Sequence, residues 1–263
     1  MRGYSLIGLL ISMAILLVLG VVMSNAINKS TTGGGSTLSG TVKSFQDKQY
    51  LASMYQTLVV EAQMSGEGRF LVPSALTRRG DAGDDTTANL FSAMVAQFSF
   101  PPSQMISGNE MSPYVKLDED YDYTAYNFAD DTFWDPNFSA DLTWESNTSF
   151  AHPPLYGNRL RRYWYTGVGS RIPLLGNRGP EDGVANPDSW TYNRDGRWAG
   201  HLVFGDGHVE FIRTFTINGI FLQTSGGNQP DNLFNMEQGA DGSDVVLSFT
   251  KQMTADGPVL QYD

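Results

Sequence analysis

Three histidines, His152, His201 and His208, with Asp206 between the last two, are the side chains most suited by type to hold a metal or relay a proton. Their spacing decides whether they can. If Asp206-Gly207 is a two-residue turn, Leu202 and Phe204 share a strand face with Val209 and Phe211, while His201, Val203, His208 and Glu210 share the other. A three-residue turn would move His208 and Glu210 onto the Phe204 face, so the clean apolar set favours the two-residue register. In that register the two imidazoles lie about four strand positions apart, roughly 13 Å, whereas ligands of one ion each sit roughly 2 Å from it. No metal site is expected. Asp206, Gly207 and His208 then read as a structural hairpin turn, in which Asp206 tolerates the left-handed conformation and Gly207 supplies the other turn position. The hairpin has one buried and one wet face.

Other chemistry is equally sparse. There is no Gly-x-Ser-x-Gly elbow, no His-Glu-x-x-His helix, no Walker loop and no dinucleotide fingerprint in a strand-helix setting. The chain also lacks cysteine, which removes thiol catalysis and disulfides. No catalytic residue is assigned, the chain reads as not an enzyme, and no cofactor is expected beyond the open question of calcium. That question comes from the acidic, aromatic stretch over residues 118–150. Asp118, Glu119, Asp120, Asp122, Asp130, Asp131, Asp135, Asp141 and Glu145 alternate there with Tyr121, Tyr123, Tyr126, Phe128, Phe133, Trp134, Phe138, Trp144 and Phe150. Clustered carboxylates suit a hard cation, and Tyr and Trp suit a recognition surface. The EF-hand spacing is missing, and a solvated acidic loop whose aromatics cover the core is the expected reading. Arg159, Arg161 and Arg162 follow at once and stand ready to answer those acids within the chain or across a subunit contact.

Composition bounds the rest. The 263 residues suffice for a real core, and a net charge of -11 has the wrong sign for a surface that neutralises phosphates. Nucleic acid is not expected as a partner.

Several elements must position these residues. Tyr4 to Met23 is free of charge over 20 residues, long enough at about 1.5 Å per residue to cross a hydrocarbon layer of about 30 Å. Arg2 precedes it, and the positive-inside rule places the N-terminus in the cytoplasm and the remainder outside. Residues 30–40 form a Gly/Ser-rich joint where helix propensity falls by about 1 kcal/mol per Gly. From Thr41 to Met64 a second helix is predicted, with Leu51, Met54, Tyr55, Leu58 and Ala62 on one face. Ser65-Gly66 stops it, and an extended segment runs on to Pro73. Pro173 to Gly183, PLLGNRGPEDG, reads as a fixed loop because of its breakers.

Arg2-Gly3 followed by Tyr4-Ser5-Leu6-Ile7-Gly8-Leu9-Leu10 resembles the class III signal of type IV pilins and type II secretion pseudopilins. The resemblance implies cleavage by a prepilin peptidase after Gly3 and methylation of the new amine of Tyr4. It also marks a departure, since Gly8 stands where the family usually carries a Glu that pairs with a neighbouring subunit's amine in the filament core. In the family, a missing Glu resembles a tip or minor subunit. Two further stretches, YLASMYQTLVVEAQMSGEGRFLVPS and LVFGDGHVEFI, are similar to the helix end and closing hairpin of pilin-like proteins of planctomycete-type bacteria. Many of those carry a His ten positions before the Asp-Gly, where this chain has Gly196.

The fold class implied is α+β and pilin-like: a long N-terminal helix, its first half transmembrane, packed on an antiparallel β-sheet with a large loop-rich insertion. The domains are a leader at 1–3, a transmembrane helix at 4–29, the joint at 30–40 and a pilin-like extracytoplasmic domain at 41–263. The function implied is a structural subunit of a type II secretion pseudopilus or type IV pilus-like filament, single-pass in the cytoplasmic membrane. Its partners would be the prepilin peptidase, other pilin or pseudopilin subunits and an inner-membrane assembly platform. The alternative is a membrane-tethered extracytoplasmic binding or hydrolytic domain that does not polymerise.

Overall fold

The computed structural model describes residues 35–98, 100–187, 198–224 and 227–263. The chain divides into two compact units, Met1–Lys43 and Ser44–Asp263, and the contacts described below lie in the second. Gly3, Tyr4, Gly8, Gly196 and the whole 4–29 segment lie outside the described residues.

The predicted second helix is present as α1, Gly35–Ser65. It starts inside the Gly/Ser-rich stretch rather than at Thr41, because a formed helix extends at far lower cost than it nucleates and absorbs a few weak positions. Its predicted apolar face is correct: Leu51, Met54, Leu58 and Ala62 are fully buried and Tyr55 is packed against the same cluster. Burying each of the larger three contributes about 1.5–3 kcal/mol. The predicted stop also holds. Gly66 takes a left-handed φ of 75°, and Gly68 N–H donates to the Ala62 carbonyl at 3.2 Å.

The expected single-pass placement in the cytoplasmic membrane, with a cytoplasmic N-terminus and an outer C-terminal domain, is corrected. Among the described residues no helix is long and apolar enough to cross a membrane. Helix α1 carries Lys43, Asp47, Lys48 and Glu61 and is amphipathic rather than apolar all round.

After the short helix α2, Pro73–Leu76, comes α3, Thr87–Phe98, whose Leu90, Phe91, Met94 and Val95 are buried. Strands β1, Ala140–Asp141, and β2, Glu145–Ser146, form a small hairpin inside the acidic stretch. The main sheet has the order β3-β4-β5-β6, from β3, Phe150–Ala151, β4, Pro173–Asn177, β5, Gly200–Phe204, and β6, Val209–Ile212, every pair antiparallel. Helix α4, Gly157–Tyr163, lies between β3 and β4 in sequence. Two further antiparallel pairs follow: β7, Thr216–Thr224, with β8, Gly227–Asn232, and β9, Phe249–Thr254, with β10, Gly257–Gln261. The architecture is α+β, with one long N-terminal helix and several antiparallel sheets.

Strand β4 corrects the loop expected at Pro173–Gly183. Pro173 sits at the first strand position, where a missing N–H is tolerated. Gly176 is required by close approach, since a Cβ there would lie 2.4 Å from Leu202 Cδ2. The breakers therefore serve the packing of the sheet rather than ending it. Two apolar clusters line the sheet: Val203 joins Leu51, Met54 and Leu58, whereas Leu202 and Phe204 join Trp198, Phe234, Leu247 and Phe249. Strand β5 is buried throughout and β6 is half exposed, so the wet face expected of the hairpin belongs to its second strand alone.

Candidate functional site

The hairpin that bears Asp206, Gly207 and His208 takes the other register. Val203 pairs with Val209, Leu202 with Glu210 and His201 with Phe211, which leaves Gly205, Asp206 and Gly207 as a three-residue loop. Gly207 N–H donates to the Phe204 carbonyl at 2.8 Å, Phe204 N–H donates to the His208 carbonyl at 3.0 Å, and Gly207 has a φ of 86°. That is a type I turn closed by a left-handed glycine. Asp206 has no positive φ; its role is through the side chain, whose Oδ1 accepts from His208 N–H at 3.1 Å and from His208 Nδ1 at 2.5 Å. Burial alone would raise the Asp206 carboxyl, but these bonds and the neighbouring imidazole hold it below its ordinary value. His208 stacks flat on Phe204 at 4.4 Å. It therefore stands on the opposite face of the sheet from His201, so the shared face expected for the two imidazoles is corrected. Among the described residues no group of three or more His, Asp or Glu side chains could hold a metal ion.

This turn is where helix and sheet meet. Tyr55 of α1 donates from Oη to the Gly205 carbonyl at 2.6 Å, and a Cβ on Gly207 would lie 2.6 Å from Tyr55 Cε1. Burial, then the nearby Asp206 carboxylate, raises the Tyr55 phenol, so it remains a donor. On the other side Phe70 packs edge-on against Tyr55 at 6.1 Å and against Trp164 at 5.5 Å. Trp164 Nε1 donates to the Leu71 carbonyl at 2.8 Å. The three stretches named in the sequence thus converge: the helix end, the Gly-Arg-Phe segment and the Asp-Gly-His hairpin.

About two turns before Tyr55 on the same helix, a charge is buried where the apolar period would place a Leu. Asp47 is fully buried. Its Oδ1 accepts from Gly108 N–H at 2.8 Å, and its Oδ2 accepts from Ser107 Oγ at 2.6 Å and Asn177 Nδ2 at 3.3 Å. Asn177 Oδ1 in turn accepts from His201 N–H at 2.7 Å, and His201 Nε2 lies 3.2 Å from Ser44 Oγ. Burial depresses the His201 imidazole against the pull of Asp47. Ser44, His201 and Asp47 are residue types a hydrolase uses, but Asp47 commits both oxygens to Ser107, Gly108 and Asn177. The arrangement clamps α1 to β4 and β5.

Two arginines are buried with their acids: Arg178, which the sequence did not single out, and Arg159, which it did. Arg178 pairs with Glu110 and with Asp263, the latter at 2.9 Å. Burial would raise the Glu110 carboxyl, yet the Arg178 guanidinium, Ser149 and the Ser112 amide hold it below its ordinary value. Arg159 pairs with Asp244 and donates to the Gly239 and Ala240 carbonyls at 3.0 and 2.9 Å. Arg159 thus answers the loop at 239–244 and not the acids of the 118–150 stretch.

That stretch is solvated in part, as expected. Tyr121, Phe133, Phe138 and Phe150 are buried, while Tyr123, Tyr126, Phe128 and Trp144 are exposed. Four of its nine acids bind their own backbone two residues on: Asp118 accepts from Asp120 N–H, Asp122 from Thr124, Asp135 from Asn137 and Asp141 from Thr143. These are Asx turns, and they account for those four positions as local turn chemistry.

A surface cavity of about 710 Å³ is an open cleft lined by Arg69, Arg161, Arg162, Tyr163 and Tyr165, with Glu67 also in its lining. Helix α4 supplies Arg161 and Arg162 in its last turn, a favoured place for cations, and a bridge between Arg69 and Tyr165 brings in the third guanidinium. Arg161 pairs with Asp241 at 3.2 Å; Arg69 and Arg162 form no ion pair among the described residues. Comparison with protein-family models, with curated proteins and with solved structures finds no match to this chain.

Proposed function

We propose that the chain is a non-catalytic structural subunit of a filament of the type II secretion pseudopilus or type IV pilus kind, processed by a prepilin peptidase and joined by other pilin or pseudopilin subunits. One observation carries the reading: Tyr55 of the long helix seats on the Gly205-Asp206-Gly207 turn of the closing hairpin. The two internal stretches that resemble pilin-like proteins are remote in sequence, yet each fills a need of the other. Gly207 leaves the room that the Tyr55 ring occupies, and Tyr55 satisfies a turn carbonyl.

Gly3 and Tyr4 are the proposed cleavage and methylation positions, and Gly8 is the proposed filament-core position that lacks the customary Glu. Intact mass and N-terminal sequencing of the protein from its native host test this. The expected result is a chain beginning at Tyr4 with a methylated amine, lost when Gly3 is replaced by a bulky residue. A mature chain beginning at Met1 would overturn the proposal.

A further inference from the structure

We propose that the Arg-Tyr cleft receives the acidic, aromatic face around residues 119–130 of a second copy of this chain. The inference rests on the filament-subunit reading and names two of the surfaces that meet in it.

The cleft is anomalous in its charge. On a chain of net charge -11, three guanidiniums gather on one open concavity, and Arg69 and Arg162 have no carboxylate partner among the described residues. Its remaining wall is Tyr163, Tyr165, Gly169 and the aliphatic Val168 and Ile172, with a single carboxylate, Glu67, against the three guanidiniums. Arginine and tyrosine over an apolar floor are what interface centres are enriched in. At about 710 Å³ and open to solvent, the cleft suits a segment of protein rather than an enclosed small molecule.

The complementary surface is on the same chain. Glu119, Asp120, Asp122 and Asp130 are exposed, and none forms an ion pair among the described residues. Between them Tyr123, Tyr126 and Phe128 are 49%, 40% and 64% exposed. Arg78 is engaged with the Phe128 ring and the Phe128 carbonyl. No Lys or Arg lies between Lys116 and Arg159, so the segment supplies no basic residue of its own to these acids. Exposed aromatics set among acids without ion pairs match, in charge and in side-chain type, a tyrosine-walled cleft that holds Arg69 and Arg162 without a carboxylate partner among the described residues. Because the two patches differ, a contact between copies is heterologous and repeats from copy to copy without closing on itself unless the rotation happens to form a ring.

The absence of native cysteine makes a direct test simple. Ala129→Cys and Ser170→Cys place thiols beside the two surfaces without altering their charges. Full-length chains carrying one or the other, kept in solution with a mild non-ionic detergent, are mixed and oxidised while assembly is followed by sedimentation. The proposal expects disulfide-linked dimers at least tenfold more abundant in the mixture than in either variant alone, and strongly reduced by 1 M salt. Arg69→Glu with Arg162→Glu on the Ser170→Cys chain should abolish the product. Glu119→Arg with Asp120→Arg on the Ala129→Cys chain should restore it. Assembly with no mixed product, or with equal cross-linking of Ser170→Cys chains to each other, overturns this contact and leaves the filament reading standing. Mixed product from chains whose native N-terminus is unprocessed Met1 supports the contact and removes the filament reading.

Discussion

The helix-hairpin junction and the acidic stretch are both rich in aromatic and polar groups, but they are held by opposite means. At the junction the contacts that join helix to sheet are remote in sequence. Tyr55 reaches Gly205, Asp47 reaches Asn177, and Arg178 joins Glu110 and Asp263. In the acidic stretch the recurrent bond runs from an Asp side chain to the amide two residues on, at Asp118, Asp122, Asp135 and Asp141. The first region stands or falls with the whole fold; the second is a string of local turns over a few buried rings. The same residue type thus does different work according to burial: Asp47 clamps two elements together, while Asp122 merely shapes a turn.

Substitutions should separate the two regions by size of effect. Arg178→Met leaves the buried Glu110 and Asp263 carboxylates without their cation, and a loss of about 3–5 kcal/mol is expected in urea unfolding. Asp47→Ala strands the Gly108 and Asn177 donors and should cost on the order of 2–3 kcal/mol. Gly207→Ala forces a Cβ both against Tyr55 and into a left-handed backbone, for a loss of about 1–3 kcal/mol. Relief of part of that loss in a Tyr55→Leu background would establish that the ring is the obstacle. Asp122→Ala removes one exposed Asx turn and should shift the urea midpoint least of the four. A larger loss there than at Arg178 would erase the distinction.

Acid sharpens it further. His152 is completely buried; Nδ1 donates to the Pro153 carbonyl at 2.8 Å and Nε2 accepts from Thr87 Oγ1 at 2.9 Å. Burial pushes its imidazole down to about 4. Between an ordinary value of about 6.5 and that of the folded chain, the unfolded state binds a proton that the native state does not. Stability is therefore present above pH 6.5 and lost as pH falls toward 4, by on the order of 3 kcal/mol. The urea midpoint should fall over that window, and less steeply in His152→Gln, whatever the reduced starting stability of that variant.

How much of this was legible in the sequence follows from the same contrast. The apolar face of α1 was readable from Leu51, Met54, Leu58 and Ala62, because a helix with one buried face imposes a period of 3.6. Asp47 lies on that face too, but a charged residue there gives no sign of burial until its partners at 107, 108 and 177 are in place. The hairpin was visible while its register was not. The test by alternation presumes one wet face, and β5 is covered on both, so Leu202, Val203 and Phe204 carry no information about which side is inside. Strand β4 was hidden by Pro173 and Gly176, which serve a strand's first position and a close approach. The Arg69, Arg161 and Arg162 cleft joins segments about ninety residues apart, brought together by the bridge from Arg69 to Tyr165 and by the bond from Trp164 to the Leu71 carbonyl.

The central claim is that helix α1 and the 200–212 hairpin form one cooperative unit through Tyr55 and Asp47. Native-state hydrogen exchange on the full chain measures it directly. The amides of residues 51–62 and of β5 should exchange with one common opening free energy, equal to that of global unfolding, while amides around 118–131 open at lower cost. Exchange of the helix at a separate, lower free energy, with β5 still protected, would contradict the account.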